Sequence, residues 1–410
     1  MTVSFAELPA VLRAAEDRVR ALHEELARGV TAVDEALAAI DRDRDAADEA
    51  LDAVPAIGRR LAGRLAAADV SAPAVPLDGP GWEPVPVAVG DGLAFTVMLD
   101  TAMHDPVTAG LATGRTSDEP LIALMLEFVQ PGDWVIDLGA HVGTFSLAAA
   151  ARGCGVLAIE ASPANAALLR ASAARNGFHD LRVIHCAATD TAGPLSFEAN
   201  GPWGHMTWGG EGETHTVTVP GVPIDQLLGA FASPPPAFIK MDVEGAELKA
   251  IAGMRALLSG PGAPPVLFES NGHALALAGA TPNELQACFE ELGYATYLIE
   301  GRRLTRLSPD EVQVVTVADC LAMKRRPAGL DAWEVRIQST EEDALLRITA
   351  EAAHPNPDCR AYAARALEGL DPELLSHPLV TGALADLRAD ADPVVVAAAA
   401  WSHPGEGAQP

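Results

Sequence analysis

The sequence predicts an α/β protein built on a mostly parallel, doubly wound sheet, with helical segments at both ends. Three observations predict it. A strand runs into a glycine turn that opens a helix at Trp134-Val-Ile-Asp-Leu-Gly-Ala-His-Val-Gly-Thr-Phe145, and apolar strands then alternate with helices as far as residue 292. The chain before residue 55 has a heptad pattern, and the chain after residue 338 has helical character with no strands. Strand and helix alternation of this kind means a parallel sheet covered on both faces.

Leu8, Leu12, Ala15, Val19, Leu22 and Leu26 step by four and three, the a/d seam of a coiled coil. The step from Leu26 to Val30 is a stutter, after which Val33, Leu37, Ile40, Ala47, Leu51 and Val54 carry the seam to Pro55. Residues 1 to about 54 are therefore expected as one long helix or two folded back, within a helical coiled-coil region over 1–68. The seam needs a partner, either a second copy of the chain in a homodimer or the domain that follows in the same chain. Residues 69–86, rich in Pro and Gly, read as a linker.

A domain is expected over 87–330. Gly90-Asp-Gly92 signals a hairpin, and residues 119–129 a helix that leads into the glycine-turn strand. The second strand, Gly155-Val-Leu-Ala-Ile-Glu160, is followed by a helix over 163–176, with Ser162 as N-cap, Pro163 in its first turn and Gly177 at its end. Residues 181–187 form the third strand. Residues 194–198 and 214–219 have period two and flank a Gly/Trp-rich loop, so they read as an antiparallel insertion. Residues 237–242 and 266–269 are the fourth and fifth strands, with helices at 246–258 and 282–292. Over 338–410, Pro357 aligns with Pro393 and Ala361 with Ala397 at a period of 36 residues, which suggests a HEAT-like helix-pair repeat.

Asp and Glu total 56 against 28 Lys and Arg, a formal charge of -28, which opposes binding to nucleic acid or anionic membranes. The five cysteines are odd in number and form no Cys-x-x-Cys pair, so neither a disulfide framework nor a zinc site is expected. The start of the chain lacks a signal-peptide pattern, and no apolar run has the length of a membrane span. A cytoplasmic location is expected.

Gly139 and Gly143 lie four apart, so the turn lacks the Gly-x-Gly-x-x-Gly fingerprint of a dinucleotide site. Asp137 closes the strand before the turn, and Glu160 ends the next strand 23 residues later, where an acid can accept ribose hydroxyls. Together these pieces resemble the cofactor end of an S-adenosylmethionine-dependent methyltransferase. The glycines would let the backbone pass close to the methionine part, Asp137 would orient the turn or meet the ammonium, and Glu160 would hold the ribose. Phe238-Ile-Lys-Met-Asp-Val-Glu-Gly-Ala-Glu247 then gathers a lysine and three acids at the carboxyl end of the fourth strand. With Asn176-Gly, Val222-Pro-Ile-Asp225 and Leu267-Phe-Glu269, this series resembles the FkbM family of methyltransferases over residues 90–325. The position of His141 is often Asn in that family.

The resemblance implies a Rossmann-like class I methyltransferase fold with S-adenosyl-L-methionine as cofactor. It also implies methyl transfer to a hydroxyl of a sugar, glycan or secondary metabolite. Ala140, His141, Thr144, Ala161 and Ala187 accompany Asp137, Gly139, Gly143 and Glu160 as expected cofactor-binding positions, and Glu119 is expected to cover the methionine end. Candidate bases are Asp242, Glu244, Glu269 and His205, the last in a loop with two tryptophans. Lys240 is read as a donor to a substrate oxygen or as an ion-pair partner of Glu244 or Glu269. No metal is expected. The competing reading is a non-catalytic scaffold of coiled coil and helical repeats that carries a cofactor-binding domain.

Overall fold

The computed structural model describes residues 81–400 apart from 91, 103–105, 199–204, 207–215, 232–233, 261, 308–316, 326–329, 331–332, 337–340, 355–356, 369 and 371. The heptad seam, the helical region expected over 1–68 and most of the expected linker lie outside the described residues. So does most of the Gly/Trp-rich loop.

The described chain begins with a hairpin of β1 (Trp82–Val89) and β2 (Leu93–Asp100), paired antiparallel with Trp82 opposite Asp100. Gly90 and Gly92, both at positive φ, bound its turn. β1 occupies residues expected as linker, in spite of its prolines. Both strands of a two-stranded sheet have a free edge, where Pro84 and Pro86 remove no ladder bond.

After helices α1 (Pro106–Leu111) and α2 (Glu119–Phe128), the chain alternates. β3 (Trp134–Leu138) leads to α3 (Thr144–Ala151), β4 (Gly155–Glu160) to α4 (Pro163–Asn176), and then β5 (Leu181–His185) follows. Ser162 caps α4 by accepting from the Asn165 N–H, and Gly177 ends it in the left-handed region, as its sequence directs. The insertion is a separate four-stranded sheet of β6 (Ala187–Ala188), β7 (Gly193–Glu198), β8 (His205–Met206) and β9 (Thr216–Val222), in the order β6-β9-β7-β8.

The main sheet resumes with β10 (Phe238–Met241) and β11 (Val266–Asn271), and continues with β12 (Ala295–Glu300), β13 (Arg303–Arg306), β14 (Val317–Met323) and β15 (Glu334–Arg336). Its order is β15-β13-β12-β14-β11-β10-β3-β4-β5. From β11 through β5 neighbouring strands are parallel, whereas β14 runs antiparallel between β11 and β12. The strand order reverses between β3 and β10, which opens a crevice at their carboxyl ends. The sheet runs on to Arg336, beyond the boundary expected at 330.

Side chains alternate across the strands, as the pleat requires. Val135, Val156 and Phe238 join one core with Leu147 and Leu168, and Ile136, Ile159 and Ile239 join the core on the other face with Ile251 and Phe289. The helix expected over 246–258 is two, α5 (Glu247–Gly253) and α6 (Arg255–Ser259). A Cβ on Gly253 would stand 2.0 Å from the Thr189 carbonyl oxygen, so the first helix ends tightly against β6. Asp225 then accepts from Ala256 and Leu257 N–H at 2.8 and 3.0 Å and starts the second.

Past the sheet, α7 (Glu341–Glu351), α8 (Pro357–Glu368), α9 (Pro378–Arg388) and α10 (Pro393–Ala399) share a small core that includes Ile348, Ala361, Ala364, Leu384 and Ala399. The two prolines set 36 residues apart in the sequence each open a helix. Arg360 on one joins Asp390, just ahead of the other, at 2.7 and 3.0 Å.

Asn176, part of the family-like series, holds the hairpin to α4. Its Oδ1 accepts from Thr96 N–H at 2.8 Å and its Nδ2 donates to Thr96 O at 2.6 Å. Asn176→Ala leaves both Thr96 groups unpaired and is expected to destabilise the protein by about 2 kcal/mol in a denaturant titration. The cofactor affinity of the folded fraction should be unchanged.

Candidate active site

The glycine turn folds under the chain that leaves β10. Gly139 has φ 73°, and a Cβ there would lie 1.7 Å from the Asp242 carbonyl oxygen. The glycine expected to admit a ligand is thus required by a crossing of the protein's own backbone. Gly143, at φ 95°, precedes α3, and its missing Cβ makes room for the Leu169 side chain. His141 also has positive φ, 52°. His and Asn are among the few side chains that tolerate this region, which explains their exchange at this position.

The turn keeps its amides for itself. Gly139 and Ala140 N–H both donate to Ile159 O at 3.0 Å, and Gly143 N–H donates to Ala140 O at 2.9 Å. His141 N–H donates to Glu160 Oε2 at 2.7 Å, and Ser162 N–H to the other carboxylate oxygen at the same distance. No phosphate cradle is left among these groups, which fits a cofactor without a pyrophosphate. Glu160 is 5% exposed, and burial pushes its pKa up to about 7 against the pull of the two backbone donors.

Lys240 occupies the centre of the crevice. Its Nζ donates to Gly139 O at 2.9 Å and lies 3.3 Å from Asp242 Oδ2 and 3.8 Å from Asp137 Oδ1. Burial alone would depress the ammonium, but Asp242 and Asp137 outweigh it and raise its pKa. The lysine therefore pairs with Asp137 and Asp242, not with Glu244 or Glu269 as expected, because β3 and β10 are neighbours and Lys240 faces Asp137 in register. Asp137, fully buried, also accepts from Ser146 Oγ at 2.6 Å.

A cavity of about 620 Å³ opens above these groups. Its walls include the expected Gly139, Ala140, His141, Thr144, Glu160, Ala161, Ala187, Lys240, Asp242, Glu244 and Glu269. Asp137 and Gly143 lie behind the wall and shape the turn. Glu119 is a correction: its carboxylate accepts from Gly90 N–H at 3.2 Å, on the hairpin, and its neighbour Asp118 lines the cavity instead, accepting from Thr144 Oγ1 at 2.9 Å. His205 stands opposite Glu198 in β8, and its side chain is outside the described structure.

Sequence reading missed Asp118, Asn165, Asn271 and Asp319, all of which line the cavity. Asp319 carried a signal, an acid inside the apolar strand Val317-Ala-Asp-Cys-Leu-Ala-Met323. It pairs directly with Glu269 across β11 and β14. Like charges in such a pair destabilise a sheet, so the arrangement marks a functional wall.

Asp242, Glu244 and Glu269 bring one oxygen each to within 4.8 Å of one another, the one group of this kind among the described residues close enough to hold a metal ion. Burial, then repulsion from Asp242, raises Glu244 to about 8 and Glu269 to about 9. Asp319 rises to about 6 for the same reasons. Glu244 adopts a left-handed φ of 49°, and Asn271 Nδ2 donates to it at 3.5 Å. Glu247, the second Glu of the motif, is 2% exposed and staples the turn by accepting from Val243 and Gly245 N–H at 3.3 Å each.

A reversed-order α/β sheet with a glycine turn, an acid ending the next strand and carboxylates at the fourth and fifth strands is a class I methyltransferase-like fold. Residues 137–295 match the family described as the methyltransferase FkbM domain, and this match supports S-adenosylmethionine as the cofactor. No curated protein matches the sequence. Among solved structures, the chain is similar to a precorrin-6y C5,15-methyltransferase from Geobacter metallireducens (13% identity, 51% of this chain and 88% of that one, TM-score 0.31). It is also similar to a TehB-like SAM-dependent methyltransferase from Corynebacterium glutamicum (12%, 52% and 92%, TM-score 0.32). A third is the T. thermophilus 16S rRNA N2 G1207 methyltransferase (15%, 62% and 53%, TM-score 0.31).

The residues present fit this cofactor. An engaged turn without a phosphate cradle, Glu160 beside it and an excess of carboxylates over the single lining lysine suit a nucleoside that carries a sulfonium and an ammonium. Glu160, Glu244, Glu247, Glu269 and Asp319 all have folded pKa values above their ordinary range. Each therefore contributes stability that is complete below its ordinary pKa and lost as pH rises through the raised value. The melting temperature is expected to be higher near pH 5 than near pH 9 in a thermal scan. A melting temperature that rises steadily over that range would contradict the burial of these groups.

Proposed function

We propose that the domain methylates a hydroxyl of a sugar, glycan or related secondary metabolite. The observation that carries this reading is the single cavity shared by Glu160 and by the carboxylates Asp242, Glu244 and Glu269. Glu160 holds the ribose hydroxyls, and the second group meets the acceptor. The bound cofactor supplies an electrophilic methyl on sulfur. The protein's part is to align the acceptor oxygen with it, exclude water and receive the hydroxyl proton. Carboxyls pushed to about 8 and 9 are stronger bases, once ionised, than an ordinary carboxylate. The charge of -28 and the acidic wall favour a neutral or cationic acceptor over nucleic acid.

No helix among the described residues is long and apolar enough to cross a membrane. We place the protein in the cytoplasm as part of the same proposal, with the C-terminal helices as a HEAT-like unit and the heptad seam pairing two copies. Light scattering of the full chain should then give twice the monomer mass, and a chain starting at residue 70 should give the monomer. An equal state for both would end the coiled-coil reading.

The catalytic reading is tested by calorimetry and by transfer of labelled methyl to a panel of glycans and polyols. Glu160→Ala should weaken S-adenosylmethionine binding about 10- to 100-fold, as expected for loss of a charged acceptor. Glu269→Gln should leave that affinity in place and lower kcat about 100-fold. Wild-type activity should climb with pH between about 7 and 9. Methyl transfer at full rate by Glu269→Gln would remove that residue from proton transfer.

A further inference from the structure

The wall between Glu160 and the glycine turn holds a group that none of the expected cofactor positions uses. Asn165 lies in the first turn of α4, is 2% exposed and lines the cavity, and its Oδ1 has no hydrogen-bond partner. Its side chain is not needed to start the helix, because Ser162 Oγ already accepts from its backbone N–H at 3.4 Å. Asn165 stands four residues before Leu169, whose Cδ1 would lie 2.1 Å from a Cβ on Gly143, so it shares the face of α4 turned toward the glycine turn. Helix side chains lean toward the N-terminus, here toward Ser162 and the end of β4.

Buried side-chain acceptors are nearly always paired, and an apolar residue would fill this place without the penalty of an unpaired oxygen. The missing donor therefore belongs to what fills the cavity. Glu160 is the near neighbour in sequence. Each of its oxygens takes one backbone N–H at 2.7 Å and retains a lone pair, so a nucleoside held there has donors to share with a second acceptor.

We propose that Asn165 selects the cofactor, its carboxamide oxygen accepting a hydrogen bond from a donor on the adenosine of S-adenosylmethionine. The inference rests on the cofactor assignment above. Two donors have the required chemistry, a ribose hydroxyl and the adenine 6-amine, and analogues separate them.

The test is calorimetry on the full chain with S-adenosylhomocysteine, its 2′-deoxy and 3′-deoxy forms and S-inosylhomocysteine, which lacks the amine. Wild-type protein should bind the analogue that lacks the donor used by Asn165 about tenfold more weakly than S-adenosylhomocysteine, beyond any loss of a ribose contact to Glu160. Asn165→Leu should bind S-adenosylhomocysteine about tenfold more weakly and lose that tenfold discrimination, while a loss due to Glu160 alone persists unchanged in the variant. Asn165→Asp, which retains an oxygen at the same place, should keep the discrimination. A penalty abolished for a deoxy form assigns the bond to the ribose, and one abolished for the inosine form assigns it to adenine. If Asn165→Leu does not fold, Asn165→Ala takes its place in the series. Equal penalties in wild type and variant for every analogue would overturn the proposal. Absence of S-adenosylhomocysteine binding by the wild type would instead remove the cofactor assignment beneath it.

Discussion

The site depends on one buried cation. Lys240 sits on β10 where that strand meets β3, and from there it reaches the Gly139 carbonyl, Asp242 and Asp137 together. These three belong to the glycine turn, to the exit of the fourth strand and to the exit of the first. A side chain whose solvation has been removed needs such partners, and the partners need it, since Asp137 is buried with one oxygen otherwise unpaired. The lysine thereby fixes the height of the glycine turn against the strand end from which Asp242 and Glu244 project. Gly139 completes the constraint, because any side chain there would meet the Asp242 carbonyl.

This gives different parts of the family-like series different tasks. Asn176 bonds to Thr96 of the hairpin, Asp225 starts α6 and Glu247 staples the turn after β10. None of the three is among the cavity-lining residues. Lys240, Asp242, Glu244 and Glu269 are, and they lie at strand ends, where an open α/β sheet presents its chemistry. A motif read as a single signature thus divides into residues that hold the frame and residues that face the ligand. Spacing alone does not distinguish the two kinds.

Much of this was legible in the sequence because its causes are local. Ser162, Pro163 and Gly177 bound α4 by capping and backbone preference, and the apolar strands around Asp137 and Glu160 bring their acids to the same edge of the sheet. The misreadings come from pairing between distant segments. Nothing near Pro84 and Pro86 tells that they lie opposite Met98 and Thr96 in a hairpin, where their missing N–H groups do no harm. Asp319 joins Glu269 only because β14 inserts antiparallel beside β11. Glu119 and Asp118 are adjacent, and the direction of the first turn of α2 decides which of them faces the cavity. Sequence proximity placed an acid there, and the turn exchanged its identity.

The charge of the cavity connects these points to turnover. Asp118, Glu160, Asp242, Glu244, Glu269 and Asp319 line a space in which Lys240 is the one lining Lys or Arg, already engaged by its own partners. Burial first, and then the mutual repulsion of this wall, raises the proton affinities of Glu244 and Glu269. A cation in the cavity would relieve that repulsion, so these carboxylates would hold a sulfonium more firmly than a neutral thioether. On the proposed hydroxyl-methylating reading, the same relief would let Glu244 and Glu269 release protons and act as bases toward an acceptor hydroxyl. On that reading the repulsion built into the wall would serve both ends of a cycle, since it would ready the carboxyls to take a proton while the positive charge is present and would loosen the product once that charge is gone.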